Sequence, residues 1–345
     1  MKRLETLVIL LALGFYIWFL QRFGFSQVID YIRLAGWGLL LTVALESISR
    51  LANTAGWWVT IRERPPNLGF FELFAARISG EAVDYVTPAA QLGGQVVMAM
   101  MVRRKLPMAS GLATTVVASL AESIGQIIFI LSALLISLPL ETQIHSLFWP
   151  VIGGLTVTVA LAVGLFYVQI KHPFSALLRA ADKLDLNLVR RIDLKDAAAQ
   201  ADELLLDFYR HRRLRLLASC LFYLVAWSMG PVEIYILLKL LHVTATWQIA
   251  LLVEALGLLI ERTTFMIPAK LVSQEGGKAL ILAMLGYPAD IGFAIGFLRR
   301  VKEMVWVMLG LGALTAHRLI TERVITERAD APDPAERALQ GAEGE

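Results

Sequence analysis

Cysteine and charge are both scarce in this chain of 345 residues. Its one cysteine, Cys220, lies in an apolar stretch and cannot form an intrachain disulfide. Charged residues make up 18% of the sequence, whereas a soluble domain carries about 25%. Hydrophobic residues make up 57%. This balance argues against a water-soluble domain and predicts that lipid surrounds most of the chain.

Catalytic and cofactor motifs are also absent from the sequence. It has no zinc-protease His-Glu-x-x-His, no Gly-x-Ser-x-Gly, no phosphate-binding P-loop and no dinucleotide-binding glycine motif. The five histidines, at positions 145, 172, 211, 242 and 317, are far apart. We therefore expect a protein that is not an enzyme and that uses no metal and no cofactor. A membrane-embedded lipid-modifying transferase is an alternative, although the first predicted outer loop offers only Asp30 as an acid.

Long apolar stretches recur along most of the chain. They cover residues 5–20, 36–60, 108–139, 148–170, 214–240, 246–266 and 291–316. About 20 helical residues cross a hydrocarbon core, and a helix satisfies its own backbone there. The sequence therefore predicts an all-α fold, a polytopic transmembrane helical bundle, with a membrane domain over residues 1–316.

Basic residues gather in short loops, which explains the net charge of +3 without nucleic acid as a partner. The basic groups are Lys2-Arg3, Arg62 with Arg64, residues 103–105, the 171–215 loop and the tail. By contrast, the loops 140–147 and 241–247 contain no lysine or arginine. This asymmetry predicts a multi-pass protein of the bacterial inner membrane with both termini in the cytoplasm.

Two polar segments lie outside the apolar stretches. Residues 171–213 alternate leucines with charges and predict a cytoplasmic amphipathic connector, either on the inner leaflet or in solvent. Residues 317–345 are rich in Ala, Glu, Asp and Pro, and we expect a disordered cytoplasmic tail.

Two further stretches carry helix-breaking residues. Residues 80–101 contain Pro88 and the pair Gly93-Gly94, and residues 267–285 contain Pro268 and the pair Gly276-Gly277. Each predicts a broken, re-entrant helical hairpin. The loop charges predict that the hairpins enter from opposite faces of the membrane, which indicates an inverted repeat. If residues 246–266 form a full crossing, the broken hairpins remain but the inversion is lost.

Ionisable side chains inside the membrane are costly and mark functional sites. We assign Glu46 and Arg50, four residues apart, mainly to a structural ion pair. The candidate site residues flank the two hairpins. In the first half they are Arg77, Glu81, Asp84, Pro88, Gly93, Gly94 and Glu122, and in the second Pro268, Glu275, Gly276, Gly277, Arg299 and Arg300.

Broken helices present unsatisfied backbone donors and acceptors, which suit a lipid headgroup or a small ion. The hairpins therefore predict a polar cavity between them. The alternative is a polar bundle interior in which the charges only neutralise one another. Proton coupling through Glu81, Asp84 or Glu122 stays open.

These motifs resemble the flippase-like transmembrane domain of lysylphosphatidylglycerol synthases and its stand-alone forms, over most of residues 4–316. The resemblance is carried by Gly80-Glu81, Thr87-Pro88 and Gly93-Gly94, and later by Pro268-Ala269, Leu271, Gln274-Glu275-Gly276, Gly286 and Arg299 or Arg300. It implies lipid translocation between leaflets. Gln95 replaces the family's usual acid, and Ala269-Lys270 replaces a glycine-rich stretch, so the substrate is expected to differ.

The resemblance implies a flippase for a phospholipid, a hopanoid or another amphipathic lipid, and the chain looks like the hopanoid-biosynthesis-associated subgroup. Expected partners are membrane lipids and, in addition, lipid-biosynthesis enzymes; the oligomeric state is not predicted. An alternative is a non-transporting scaffold for such enzymes.

Overall fold

The computed structural model describes residues 33, 36–61, 63–86, 92–137, 148–169, 194–263 and 273–329. Within these ranges it contains ten helices and no strand. They are α1 (Gly38–Thr60), α2 (Phe70–Val86), α3 (Leu92–Val102), α4 (Met108–Ile136), α5 (Phe148–Gln169), α6 (Leu194–His211), α7 (Arg213–Leu240), α8 (Trp247–Thr263), α9 (Ser273–Met284) and α10 (Ala289–Ala329). The prediction of an all-α fold is confirmed.

Among the described helices, three are long and apolar enough to cross a membrane: α4, α7 and the part of α10 from Ala289 to Thr321. Such helices satisfy their backbone groups internally, as hydrocarbon requires. The prediction of a polytopic helical membrane protein is therefore confirmed. The apolar stretch Gly93–Val102 of α3 is shorter. At about 1.5 Å per residue it does not reach across a core of about 30 Å.

Helices α1 and α7 pack side by side in opposite directions. Gly38 at the start of α1 lies against Leu240 at the end of α7, and Gly56 near the end of α1 lies against Tyr223. Ser219 Oγ also donates a 2.9 Å hydrogen bond to the carbonyl of Gly56. A Cβ at Gly56 would come within 2.7 Å of the tyrosine ring. Glycine therefore permits this close approach of the two helices.

The order of helices α1–α4 recurs in α7–α10. Helices α2 and α8 both have 17 residues, while α3 has 11 and α9 has 12. The packing recurs too, because α2 packs on α3 and α10 while α8 packs on α9 and α4. The equivalent helices α1 and α7 are antiparallel, which is the arrangement that an inverted repeat requires. Inversion across a bilayer stays a prediction.

Each short helix packs closely on a neighbour through glycine. Gly80 of α2 lies against Gly94 and Met98 of α3, and a Cβ at Gly80 would come within 2.7 Å of the Gly94 carbonyl oxygen. In the second half, Gly292 and Gly296 of α10 lie against the backbone of α9. The small residues let the backbones approach where larger side chains would separate them.

Helix α8 is enclosed by protein. Every residue from Ile249 to Leu259 is buried, and the helix packs against α4, α5, α7 and α9. An extensive apolar core surrounds it, with Ile130 of α4 and Leu237 of α7 among its fully buried members. The central part of α8 therefore faces protein on all sides.

Helix α6 lies within the predicted amphipathic connector and covers the first half of α4. Its side chains Leu205 and Phe208 pack against Val116 and Val117 of α4. The sequence leaves open whether the connector rests on the leaflet or in solvent. In the structure, the apolar face of α6 rests on protein.

Helix α10 continues beyond residue 316 to Ala329, so residues 317–329 are helical where we predict a disordered tail. These residues contain no glycine or proline, and nothing in their sequence ends the helix. Several predicted features lie outside the described residues: the first membrane helix at 5–20, Asp30, the 140–147 loop, Pro88, Pro268, Lys270 and the tail residues 330–345.

Candidate functional site

Nine charged side chains of alternating sign form one continuous series of contacts through the helix bundle. We call this series the ionic chain. It runs Glu122, Arg77, Glu81, Arg50, Glu46, Lys302, Glu233, Arg299, Glu254. Its members come from α1, α2, α4, α7, α8 and α10, so residues far apart in sequence meet in one polar seam.

The first half of the ionic chain centres on Arg77. Its Nη2 lies 2.9 Å from Glu122, and its Nε lies 2.6 Å from Glu81, one helical turn further along α2. Its Nη1 donates a 2.8 Å hydrogen bond to the hydroxyl of Tyr223. Arg50 then joins Glu81 to the next carboxylate. All three nitrogens of the Arg77 guanidinium are thus engaged.

The second half centres on Lys302, which lies between carboxylates of two helices. Its Nζ is 2.9 Å from Glu46 of α1 and 2.7 Å from Glu233 of α7. One turn earlier on α10, Arg299 lies 3.2 Å from the same Glu233 and also binds Glu254 of α8. Lys302 therefore connects the two copies of the repeated helix order.

Burial makes these contacts consequential. The side chains of Lys302 and Glu233 are 3% and 4% exposed. The ionic chain has five carboxylates and four bases, so each base has two carboxylate neighbours. Removing one partner of a buried pair costs about 3–5 kcal/mol because the other charge stays desolvated. A continuous series of buried charges is energetically costly inside a membrane protein and is expected to be functional.

A second group, the α9–α10 cluster, consists of Gln274, Glu275, Arg300 and Glu303. Arg300 binds Glu275 through two nitrogens, with Nη2 at 2.7 Å from Oε2, and both side chains are at most 2% exposed. Gln274 Nε2 donates a 2.9 Å hydrogen bond to Glu303. Tyr85, near the end of α2, interacts electrostatically with Glu303, Arg300 and Glu275. Residues near the end of α2 and near the start of α9 thus converge on this cluster.

Asp84 closes the start of α3. Its Oδ1 accepts a 2.7 Å hydrogen bond from the backbone N–H of Gly94. First-turn amides have no partner within their own helix, and a carboxylate there is stabilising. Asp84 also lies against Gly94 where a Cβ would stand, so only glycine permits this contact. The acid therefore ties α2 to the short helix after the break.

The structure distributes the predicted site residues among these features. Arg77, Glu81, Glu122 and Arg299 lie in the ionic chain, and Glu275 and Arg300 in the α9–α10 cluster. Asp84 and Gly94 meet at the start of α3. Gly93 is half-buried and Gly276 is exposed, while Gly277 packs against Ile260. Pro88 and Pro268 lie outside the described residues.

Sequence reasoning did not include several members of the ionic chain in the candidate site. Glu233 and Glu254 are absent from the predicted set, although each is an acid within an otherwise apolar segment. That isolation was the available signal. Glu46 and Arg50 do pair at 2.9 Å as predicted, but both also bind partners on other helices.

Lys278 is a further buried base, 1% exposed, with Glu261 of α8 at 3.8 Å. This is longer than every contact of the ionic chain, the longest of which is 3.2 Å. Among the residues that the structure describes, no group of three His, Cys, Asp or Glu side chains is arranged to hold a metal ion.

Comparison with known proteins identifies the family to which the chain belongs. Searches of curated proteins and of solved structures found no match. The family model described as lysylphosphatidylglycerol synthase TM region matches residues 6–312. This range includes the whole ionic chain and the α9–α10 cluster, and it confirms the resemblance inferred from the motifs. The chain therefore belongs to the lysylphosphatidylglycerol synthase TM region family of membrane proteins.

Proposed function

We propose that this protein translocates an amphipathic lipid between the leaflets of a bacterial inner membrane. The lipid headgroup passes between the α2–α3 and α8–α9 hairpins while the acyl chains stay in the bilayer. The observation that carries this proposal is the ionic chain, a polar seam that joins six helices inside an otherwise apolar bundle. Family membership agrees with a role in lipid metabolism or movement.

Energetics favour a functional origin for the seam. A bundle that only had to be stable would replace buried ion pairs by apolar side chains at little or no cost. A headgroup crossing the hydrocarbon needs polar partners along its route, because unsatisfied polar groups there are expensive. The ionic chain and the α9–α10 cluster supply such partners.

The lengths of the short helices support re-entrant hairpins. At 1.5 Å per residue, the 11 residues of α3 and the 12 of α9 reach about 16 and 18 Å, roughly half of a 30 Å core. In the proposed topology, each short helix extends between the tip of its hairpin near the middle of the bilayer and one face of the membrane. Together with the antiparallel α1 and α7, this supports access from alternating faces.

Within the ionic chain, the contact between Lys302 and Glu46 joins the two copies. If Lys302 leaves Glu46, that carboxylate keeps Arg50, and Lys302 keeps Glu233. No charge is then left alone at this break. We infer that opening and closing of the route exchanges partners at Lys302 instead of exposing bare charges to lipid.

A liposome assay tests the proposal. Purified protein is reconstituted with a lipid carrying a fluorophore on its acyl chain, and a membrane-impermeant reductant quenches the outer leaflet only. Phospholipid and hopanoid probes are compared. We expect faster loss of protected fluorescence than in protein-free vesicles, and a loss of that activity in Lys302→Met.

Lys105→Met is the matched control. Lys105 also pairs with a glutamate, Glu72 at 2.6 Å, but both side chains are 32% exposed and lie outside the ionic chain. This variant is expected to transport normally. If no probe moves faster than in empty vesicles, or if both lysine variants behave alike, the proposal fails and the scaffold hypothesis gains ground.

A further inference from the structure

Four polar atoms near the α9–α10 cluster are buried and make no hydrogen bond of normal geometry to a residue that the structure describes, although the Tyr85 hydroxyl interacts with the Glu303 carboxylate. They are Arg50 Nε, Gln274 Oε1, Glu303 Oε2 and Trp306 Nε1. Buried polar atoms are normally paired, so each orphaned atom requires an explanation. Four such atoms from three helices point to a ligand, because they are buried and bulk water does not reach them to form hydrogen bonds.

The four side chains are neighbours. Gln274 and Glu303 share a 2.9 Å hydrogen bond. Trp306 lies three residues after Glu303 and therefore on the same face of α10. The guanidinium of Arg50 is 5.3 Å from the Trp306 ring centroid, and Phe74 contacts that ring edge-to-face at 6.3 Å. The group lies between α1, α2, α9 and α10.

The orphaned atoms include two donors and two acceptors. Arg50 and Trp306 each offer an N–H, whereas Gln274 and Glu303 each offer a carbonyl or carboxylate oxygen. An ammonium group supplies only donors and a phosphate only acceptors, so each satisfies half of the set. A hydroxyl group donates and accepts, so several hydroxyls on one headgroup satisfy all four atoms.

The charge balance also disfavours a phosphate. The bases of the ionic chain and of the α9–α10 cluster, together with the buried Lys278, already contact carboxylates. A phosphate would have to displace one of these carboxylates and leave it buried without its partner, which is costly. An uncharged headgroup displaces none of them.

We propose that Arg50, Gln274, Glu303 and Trp306 form a binding subsite for an uncharged, hydroxyl-rich headgroup, such as a sugar or another polyol on a lipid. The inference rests on the proposed function, because it names the headgroup that the translocation route accepts. The edge-to-face pair of Phe74 and Trp306 gives the subsite an apolar wall, suited to the C–H face of a sugar ring.

Three probes with the same acyl chains test the subsite: monoglucosyl diacylglycerol, phosphatidic acid and diacylglycerol. Their affinities for the purified full-length protein are measured in detergent micelles by microscale thermophoresis. We expect the glucosyl lipid to bind most tightly. Trp306→Phe keeps an aromatic ring but removes the N–H donor, and it should weaken glucosyl-lipid binding about 3- to 10-fold, the effect of one neutral hydrogen bond.

Trp57→Phe is the matched control, since the buried Trp57 donates a 3.2 Å hydrogen bond to Thr114 away from the subsite. It should leave the affinity unchanged. If Trp306→Phe does not fold, Gln274→Met removes an acceptor of the subsite and should weaken binding of the same probe. The inference is overturned if phosphatidic acid binds as tightly as the glucosyl lipid, or if neither subsite variant changes glucosyl-lipid affinity.

The two proposals fail separately. Transport of a phospholipid without binding of the glucosyl lipid would keep the translocation function and reject the polyol subsite. Tight binding of the glucosyl lipid without movement of any probe would keep the subsite and reject translocation.

Discussion

Energetic coupling between Lys302 and Glu233 is the most direct test of the ionic chain. Their side chains meet at 2.7 Å and are at most 4% exposed. Lys302→Met removes a base that two carboxylates share, and we expect the free energy of unfolding to fall by about 3–5 kcal/mol. Glu233→Gln keeps one acceptor, and both Lys302 and Arg299 keep another carboxylate. Its cost should therefore be smaller, about 1.5–3 kcal/mol.

The double variant decides whether the contact is real. Without Lys302, the charge on Glu233 has only Arg299 to balance it. Glu233→Gln should therefore lower the free energy of unfolding less in the Lys302→Met background than in the unmodified protein. We expect a coupling free energy of about 1–3 kcal/mol, in the range measured for residues in one network. The measurement is equilibrium unfolding in mixed micelles as the fraction of sodium dodecyl sulfate rises.

A second cycle provides the comparison. Glu72→Gln and Lys105→Met break a contact of 2.6 Å between side chains that are each 32% exposed. Solvent screens such pairs, so their coupling should stay below about 1 kcal/mol. The ionic chain is refuted if the losses of unfolding free energy in Lys302→Met and Glu233→Gln sum to the loss in the double variant within about 0.5 kcal/mol, as they do for independent sites.

Three further predictions concern the packing and the arginines, and each is checked by the same unfolding measurement. Gly94→Ala brings a Cβ against the Asp84 carboxylate and should lower the free energy of unfolding by about 1–3 kcal/mol. In Gly312→Ala no atom lies within 4 Å of the added Cβ, so this control should be neutral or stabilising by up to about 1 kcal/mol. Equal effects of the two variants would contradict the packing of α2 on α3. Tyr223→Phe loses one hydrogen bond to Arg77 and should lower the free energy of unfolding by about 1.5–3 kcal/mol. Arg77→Met should lower it more, by about 3–5 kcal/mol. A larger loss in Tyr223→Phe than in Arg77→Met would contradict the assigned contacts. Arg300→Lys cannot make the two-nitrogen contact and should destabilise the protein despite its retained charge; an unchanged free energy of unfolding would exclude that contact.

The helices were predictable because the bilayer imposes a simple rule on sequence. The apolar stretches at 108–139 and 214–240 correspond to helices Met108–Ile136 and Arg213–Leu240. Lipid demands a continuous helix, and the required length follows from the thickness of the hydrocarbon core. Proline and glycine likewise marked the two places where short helices replace a long one.

Partners on distant helices were not predictable in this way. The i, i+4 pair of Glu46 and Arg50 follows from helix geometry alone. The contact of Lys302 with Glu46 joins residues 256 positions apart. It depends on how α1, α7 and α10 pack, which the spacing of charges along one helix does not encode. The predicted set therefore contained Arg77, Glu81, Glu122 and Arg299, grouped by proximity along the chain, but omitted Glu233 and Glu254.

The charged residues do not recur between the two halves in the way that the proline and the glycine pair do. In the repeated helix order α1 corresponds to α7, α2 to α8 and α4 to α10, and these six helices supply the whole ionic chain. Glu122 of α4 is acidic, whereas the corresponding helix α10 supplies Arg299 and Lys302. Two identical copies would bring like charges together at their shared seam. The contact between the copies instead joins Glu46 of α1 to Lys302 of α10, where a glutamate like Glu122 would face Glu46 with the same charge.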